Sequence, residues 1–270
     1  MALESLQNFR NLRKRAVENY VTSSKMPGHN SRAFLFPPMQ VADHEPHHDK
    51  ITFMNRTLTF SSLLIILSLA CSTTVPVPSA PQDQSAPPGS VLFQDDFARP
   101  ISGWDRLMTA EGTMDYDGGG YRMLVNSLNT NFWSTPHKNF ADVRMEVDAG
   151  KLGGPDENRI GLICRFTGND YYFFLISSDG FYGIGIYTGG QAILLGQSEM
   201  QANSNIKTGL AVNHLRADCT DDTLTFYVNG FQIASVQDSS LKSGDVGLLA
   251  GTFAQPGVDV ILDNFVVLKP

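Results

Sequence analysis

Residues 223–236 read TLTFYV, then Asn229-Gly230, then FQIASV. Two runs rich in aromatic and β-branched residues flank a dipeptide that suits a type I′ turn, because both central positions of that turn need positive φ. The stretch predicts a β-hairpin, and the same pattern extends outward from it. Upstream, Val143, Met145 and Val147 point one way while Asp142, Arg144, Glu146 and Asp148 point the other, as a half-buried strand demands. Farther along, GLICRF after Ile160, YYFFLISS from Tyr171 and FYGIGIY from Phe181 are separated by turn residues at 168–170 and at Asp179-Gly180, which predicts a three-stranded antiparallel meander. Val246 to Ala250 and Val258 to Val267 supply two more strands joined across Pro256-Gly257, and a strand around Val91 to Phe97 is expected to pair near the chain's end. Helical periodicity is hard to find from Val91 onward. About a dozen strands with one buried face each predict two stacked sheets, an all-β sandwich over residues 91–270.

Composition restricts the folded core to that part of the chain. Formal net charge is -7 for the whole sequence. Residues 91–270 hold 12 Lys or Arg against 21 Asp or Glu, a balance of -9 that opposes binding to phosphate backbones and makes nucleic acid an unsuitable partner. Met54 to Cys71 reads MNRTLTFSSLLIILSLAC, a short basic start, an apolar run from Leu58 to Ala70 and small residues before a cysteine, which is a secretory signal pattern. The run is 13 residues, well short of the roughly 20 a spanning helix needs, so cleavage is expected over residues 54–70. Leu67 to Cys71 resembles the lipobox of bacterial lipoproteins, with Ser68 departing from the usual leucine. That resemblance implies acylation of Cys71 and attachment to a membrane through lipid alone. Residues 71–90, rich in Pro, Ser and Gln without an aromatic residue, read as an extended tether. Residues 1–53 hold four of the six histidines and no sustained pattern; translation from Met54 would give a signal of ordinary length, so this leader is expected to be untranslated or disordered, and its histidines solvated.

Asp95-Asp96-Phe97 near the start, SSDGFYGIGIY at 177–187, DDTLTFYVNG at 221–230, SGDVGLLAGTF at 243–253 and LDNFVV at 262–267 resemble the concanavalin A-like lectin/glucanase superfamily, within it the laminin G-like, levan-binding and keto-disaccharide hydrolase-like modules of bacterial envelopes. The resemblance covers nearly all of residues 91–270. It implies a jelly roll whose concave sheet is the place for a sugar, and hence a polysaccharide or glycan as partner.

The catalytic signature of that superfamily is incomplete. Its β-glucan hydrolases carry Glu-x-Asp-x-Glu or Glu-x-Asp-x-x-Glu on one strand; here Glu146 and Asp148 are followed by Gly150, Lys151 and Leu152. Retaining hydrolysis needs two carboxyls roughly 5 to 5.5 Å apart and inverting hydrolysis roughly 6.5 to 9.5 Å, so a partner such as Asp142 or Asp179 would have to come from elsewhere. No nucleophile elbow, zinc-helix signature or phosphate loop occurs, and His137 and His214 stand isolated, His214 reading as structural. A non-catalytic module is expected; a divergent glycoside hydrolase and a laminin G-like protein-interaction module are the alternatives. Sugar binding needs flat rings and fixed polar groups. Trp104, Trp133, Tyr171, Tyr172, Tyr182 and Tyr187 supply rings, and Trp133, Arg165, Tyr172, Asp179 and Tyr182 are the expected ligand contacts, the charged ones because charges amid apolar strands usually face an open surface. Taken singly, each ring is better read as filling the core; the set together points to a site.

Cys164 and Cys219 lie in strands of an exported domain, where an oxidising compartment favours a disulfide; two buried thiols on different sheets are the alternative. No organic cofactor is expected. A structural calcium ion could sit where Asp95 or Asp96 approaches Asp263.

Overall fold

The computed structural model describes residues 81–83 and 85–270; the expected leader at 1–53, the signal at 54–70, the lipid-bearing Cys71 and the tether up to residue 80 lie outside the described residues. Sixteen strands follow in order: β1 (Val91–Asp95), β2 (Leu107–Thr109), β3 (Gly112–Asp117), β4 (Gly120–Val125), β5 (Asn131–Ser134), β6 (Val143–Gly153), β7 (Asn158–Phe166), β8 (Tyr171–Ile176), β9 (Phe181–Thr188), β10 (Gln191–Leu194), β11 (Gln201–Ala202), β12 (Val212–Thr220), β13 (Thr223–Val228), β14 (Phe231–Gln237), β15 (Asp245–Thr252) and β16 (Val258–Leu268). They form two antiparallel sheets. The larger has nine strands in the order β14-β13-β12-β6-β16-β4-β3-β2 with β1 also on β16; the smaller has seven in the order β10-β9-β8-β7-β15-β5 with β11 also on β9.

The anticipated elements are present. β13 and β14 form the hairpin, and Asn229 and Gly230 take φ of 53° and 86°, as the turn requires. The meander is β7-β8-β9, and β1 pairs with β16. Alternation along β6 buries Val143, Met145 and Val147 and leaves Arg144, Glu146 and Asp148 half-buried. The main core lies between the sheets, with Met145, Val147, Leu215, Phe226 and Val260 from the larger meeting Leu162, Tyr172, Phe174, Ile184 and Leu248 from the smaller. Cys164 on β7 and Cys219 on β12 form the expected disulfide. The two cysteines do belong to different sheets, so the bond crosses the core and ties the layers together.

Two features are not apparent from composition. Asp83 is 1% exposed, and its carboxylate accepts hydrogen bonds from the Ala141 and Asp142 amides and from Lys269 Nζ. The last part of the Pro/Ser-rich stretch is therefore fixed to the sandwich, because one short acidic side chain satisfies two strand-end amides. At the Asp95-Asp96-Phe97 motif, Asp95 accepts from the Phe97 amide and from Trp104 Nε1, which holds Trp104 in a ring cluster with Phe97, Tyr121 and Phe265.

Candidate functional site

Alternation on the smaller sheet puts Tyr172, Phe174 and Ile176 of β8 into the core, so Tyr171, Phe173 and Leu175 face outward. The same phase turns Arg159, Gly161 and Ile163 of β7, Leu249 of β15 and Asn131 and Trp133 of β5 to that outer face. Four rings form a continuous wall there: Trp133 lies 6.4 Å from Phe166 and 6.1 Å from Tyr171, and Tyr171 stacks on Tyr187 at 5.1 Å with 16° between planes. Trp133 and Phe166 are half-buried, Tyr171 and Tyr187 buried.

The face turns polar where the Tyr171 side chain hydrogen-bonds Asn131. Register places Asn131, Gly251 and Arg159 in one row across β5, β15 and β7. Arg159 donates to Asn131 Oδ1 at 2.8 Å and to Asn129 Oδ1 at 3.0 Å, and its guanidinium lies 3.9 Å above the Phe253 ring. Gly251 permits this crossing: a Cβ there would lie 2.1 Å from Asn131 Oδ1. Burial lowers the Arg159 pKa to about 10. Between wall and row the floor is Leu249, Ile163, Leu175 and Phe173, the last lying over Gly185, where a Cβ would meet its ring at 2.1 Å. Arg159 is 1% and Asn131 7% exposed, so what this face presents to solvent is the half-buried Trp133, Phe166 and Asn129, held on a buried apolar floor and a fixed guanidinium-amide row.

Of the five expected contacts, the structure brings Trp133 to this face. Asp179, in the β8-β9 turn, reaches the surface; Ser177 Oγ donates to it, and partial desolvation of its carboxyl, with Asp156 nearby, raises its pKa. The other three are corrected. Arg165 does not face an open surface: it is 2% exposed, and its guanidinium donates to the Ala141, Leu241 and Asp221 carbonyls and to Asp142. The φ of 53° at Arg165 breaks the alternation and turns it inward to these loop carbonyls. Tyr172 lies in the inter-sheet core, its hydroxyl donating to Asp238 and accepting from the Leu241 amide; burial first, and Asp238 second, push its pKa to about 12. Tyr182 packs against the same core because its strand phase is that of Ile184 and Ile186. Arg159 and Asn131 escaped the sequence reading, although both share the two-residue phase of a candidate already chosen or of an outward ring.

The outer face of the larger sheet carries charge instead. His214 on β12 sits opposite Asp148 on β6; its Nδ1 lies 2.9 Å from Asp148 Oδ1 and its Nε2 3.5 Å from Glu146 Oε2. Asn264 donates to the other Asp148 oxygen. The two carboxylates raise His214 to about 9, and His214 in turn is the strongest attraction holding Glu146 low. His214 is thus the partner of the Glu146-Asp148 pair. Among the described residues no group of three or more His, Cys, Asp or Glu side chains is arranged to hold a metal ion.

Solved structures superpose on this arrangement of sheets. A Bacillus subtilis protein with a galectin-like fold aligns at TM-score 0.53 and 12% identity, over 68% of this chain and 97% of its own. A structure from work on endo-acting O-glycanases of prominent human gut microbiota aligns at TM-score 0.50 and 10% identity, over 67% of this chain and 100% of its own. The fold is a concanavalin A-like jelly roll. A carbohydrate-binding module, CBM66, from Bacillus subtilis aligns at TM-score 0.42 and 16% identity, over 62% of this chain and 95% of its own. No protein-family profile and no curated protein sequence matches the chain. At these identities the concanavalin A-like likeness establishes architecture, and function rests on the faces themselves.

Proposed function

We propose that the chain is an extracytoplasmic, lipid-anchored module that binds a glycan on the outer face of its smaller sheet without cleaving it. The carrying observation is the joining, on one face, of the Trp133-Phe166-Tyr171-Tyr187 wall and the Asn129-Asn131-Arg159 row. The half-buried Trp133 and Phe166 rings suit the CH faces of a sugar, and the half-buried Asn129 beside them suits its hydroxyls, with buried Arg159 holding that amide in place. Sugar chemistry on this fold in the aligned O-glycanase structure supports the same reading. Glu146 and Asp148, the remnant of a hydrolase signature, lie on the other sheet and are engaged by His214. Acylation of Cys71 provides the membrane attachment, and the Cys164–Cys219 disulfide suits an oxidising compartment.

The test is a glycan panel probed with the purified protein, followed by calorimetric titration of the best binder with Trp133→Ala. The expected result is binding that weakens at least about tenfold in the variant while its melting temperature stays close to wild type. Binding unchanged by Trp133→Ala, or a protein partner bound tightly while every glycan is ignored, would overturn the reading. Intact mass and peptide mapping from a bacterial host test the anchor: an acylated Cys71 at the amino terminus supports it, and a retained Met1 sinks it.

A further inference from the structure

Arg159 decides which way two amides point. A guanidinium carries donors and no acceptor, so the Asn131 and Asn129 side chains turn their oxygens to it, at 2.8 and 3.0 Å. Each amide nitrogen then lies on the side away from the guanidinium. Asn131 is 7% exposed, and its side chain is engaged by Tyr171. Asn129 is half-buried in the turn before β5 at φ 48°, where its backbone amide donates to the Phe253 carbonyl. Among the described residues nothing accepts a hydrogen bond from Asn129 Nδ2, and that nitrogen reaches solvent. Leu128, 60% exposed, adjoins it in the chain, and the half-buried Phe253 adjoins it across the turn.

The strands that carry this face hold few cations. On the seven strands of the smaller sheet the Lys and Arg side chains are Arg159 and Arg165 alone. Arg165 is turned inward to three carbonyls and Asp142. Arg159 is 1% exposed, enclosed by the two amide oxygens and the Phe253 ring, and Glu157 two residues before it acts on it through space. An anionic ligand calls for charge-assisted donors, best from a guanidinium open to bidentate contact. Neither arginine offers one. The 12 Lys or Arg against 21 Asp or Glu of residues 91–270 add a general repulsion of polyanions.

We infer that the ring-lined face takes an uncharged oligosaccharide, and that Asn129 is the polar contact that selects it, donating from Nδ2 to a sugar hydroxyl or ring oxygen while Trp133 and Phe166 cover CH faces. Arg159 keeps the amide oxygen turned away, so the group offered to the ligand is a neutral donor and not an acceptor. Asn129 and Trp133 are four residues apart along the turn and β5, a span of roughly 10–13 Å. One sugar ring cannot reach both, so the ligand is a chain of sugars. The inference rests on the glycan reading of this face and specifies the ligand class.

The experiment is calorimetric titration of the purified protein with neutral glucan, fructan and galactan oligosaccharides and with oligogalacturonate and sulfated galactan oligosaccharides. A neutral oligosaccharide should bind, and the anionic ones at least about tenfold more weakly. The neutral affinity should change less than about twofold between about 50 and about 500 mM sodium chloride. Asn129→Asp keeps an acceptor for Arg159 and loses the donor, so it should bind at least about tenfold more weakly with a melting temperature no lower than wild type. Asn129→Gly suits the positive φ, removes the donor without adding charge, and should lose affinity comparably. An anionic oligosaccharide bound as tightly as any neutral one, or an affinity that falls steeply with salt, overturns the uncharged class and leaves the glycan reading standing. Wild-type affinity in Asn129→Gly overturns the role of Asn129. If no oligosaccharide of either kind binds, the glycan reading falls and this inference with it.

Discussion

The outer face of the smaller sheet and that of the larger are produced by the same two-residue alternation but hold different chemistry. On the smaller sheet the outward positions are Ile163, Tyr171, Phe173, Leu175, Tyr187 and Leu249, residues that would be ordinary in a core. On the larger sheet they are Arg144, Glu146, Asp148, His214 and Arg216, a lattice of opposite charges across β6 and β12. The apolar set forms a second buried cluster, each member at 5% exposure or less, with half-buried Trp133 and Phe166 packed against it, whereas the charged set stays partly solvated. The contrast is between apolar packing on the smaller sheet, where the proposed glycan would lie, and solvation with electrostatic cohesion on the larger.

The strongest way to break this comparison is at a residue that belongs to neither face. Arg165→Met removes a guanidinium that satisfies three carbonyls and Asp142 between the layers. It should cost about 3–5 kcal/mol by chemical denaturation. A near-neutral effect would mean that Arg165 is accessible after all and that the division into interior and faces needs redrawing.

Gly251→Ala sharpens the comparison on the smaller sheet. The added methyl meets Asn131 Oδ1 and the Thr130 carbonyl, so the Asn131-Arg159 row must shift. Stability should fall by about 1–3 kcal/mol, and glycan affinity should fall with it. Unaltered affinity in a folded variant would remove the row from the site.

The smallest effect is expected on the larger sheet. His214 is held at about 9 by Asp148 and Glu146, above its unfolded value, so its stabilisation is complete below pH 6.5 and disappears as pH rises through 9. Because the imidazole is 45% exposed, screening keeps the contribution below about 1 kcal/mol. His214→Gln should therefore lower stability slightly at pH 6 and hardly at all at pH 10. A loss of several kcal/mol, or loss of glycan binding, would show that the charged face does more than hold its strands together.

Much of the fold was legible because its determinants are local. Asn229-Gly230 demands positive φ at two successive residues, and Val143, Met145 and Val147 alternate with charges without interruption. The site was legible only in part. Trp133 was identifiable as a ring outside the dense apolar runs. Arg165 misled because a single positive-φ residue at the end of β7 reverses the phase that alternation assigns. Tyr171 and Tyr172 are adjacent and chemically identical, so composition alone could not decide which ring faces out. Arg159 was missed because what makes it part of a site, the amides of Asn129 and Asn131 and the Phe253 ring, comes from other segments.

By itself the sequence determined an all-β sandwich with its principal hairpin and meander, which depend on short-range pattern, and it favoured the closure of the first strand near the chain's end and a disulfide over two buried thiols. Tertiary structure decided which sheet presents rings and which presents charge, that the disulfide crosses the core, and that Arg159 meets the amides of Asn129 and Asn131. Those outcomes depend on strand order and register, which bring together residues as distant in sequence as Asn131 and Gly251, and such proximity leaves no mark on the local pattern of either strand.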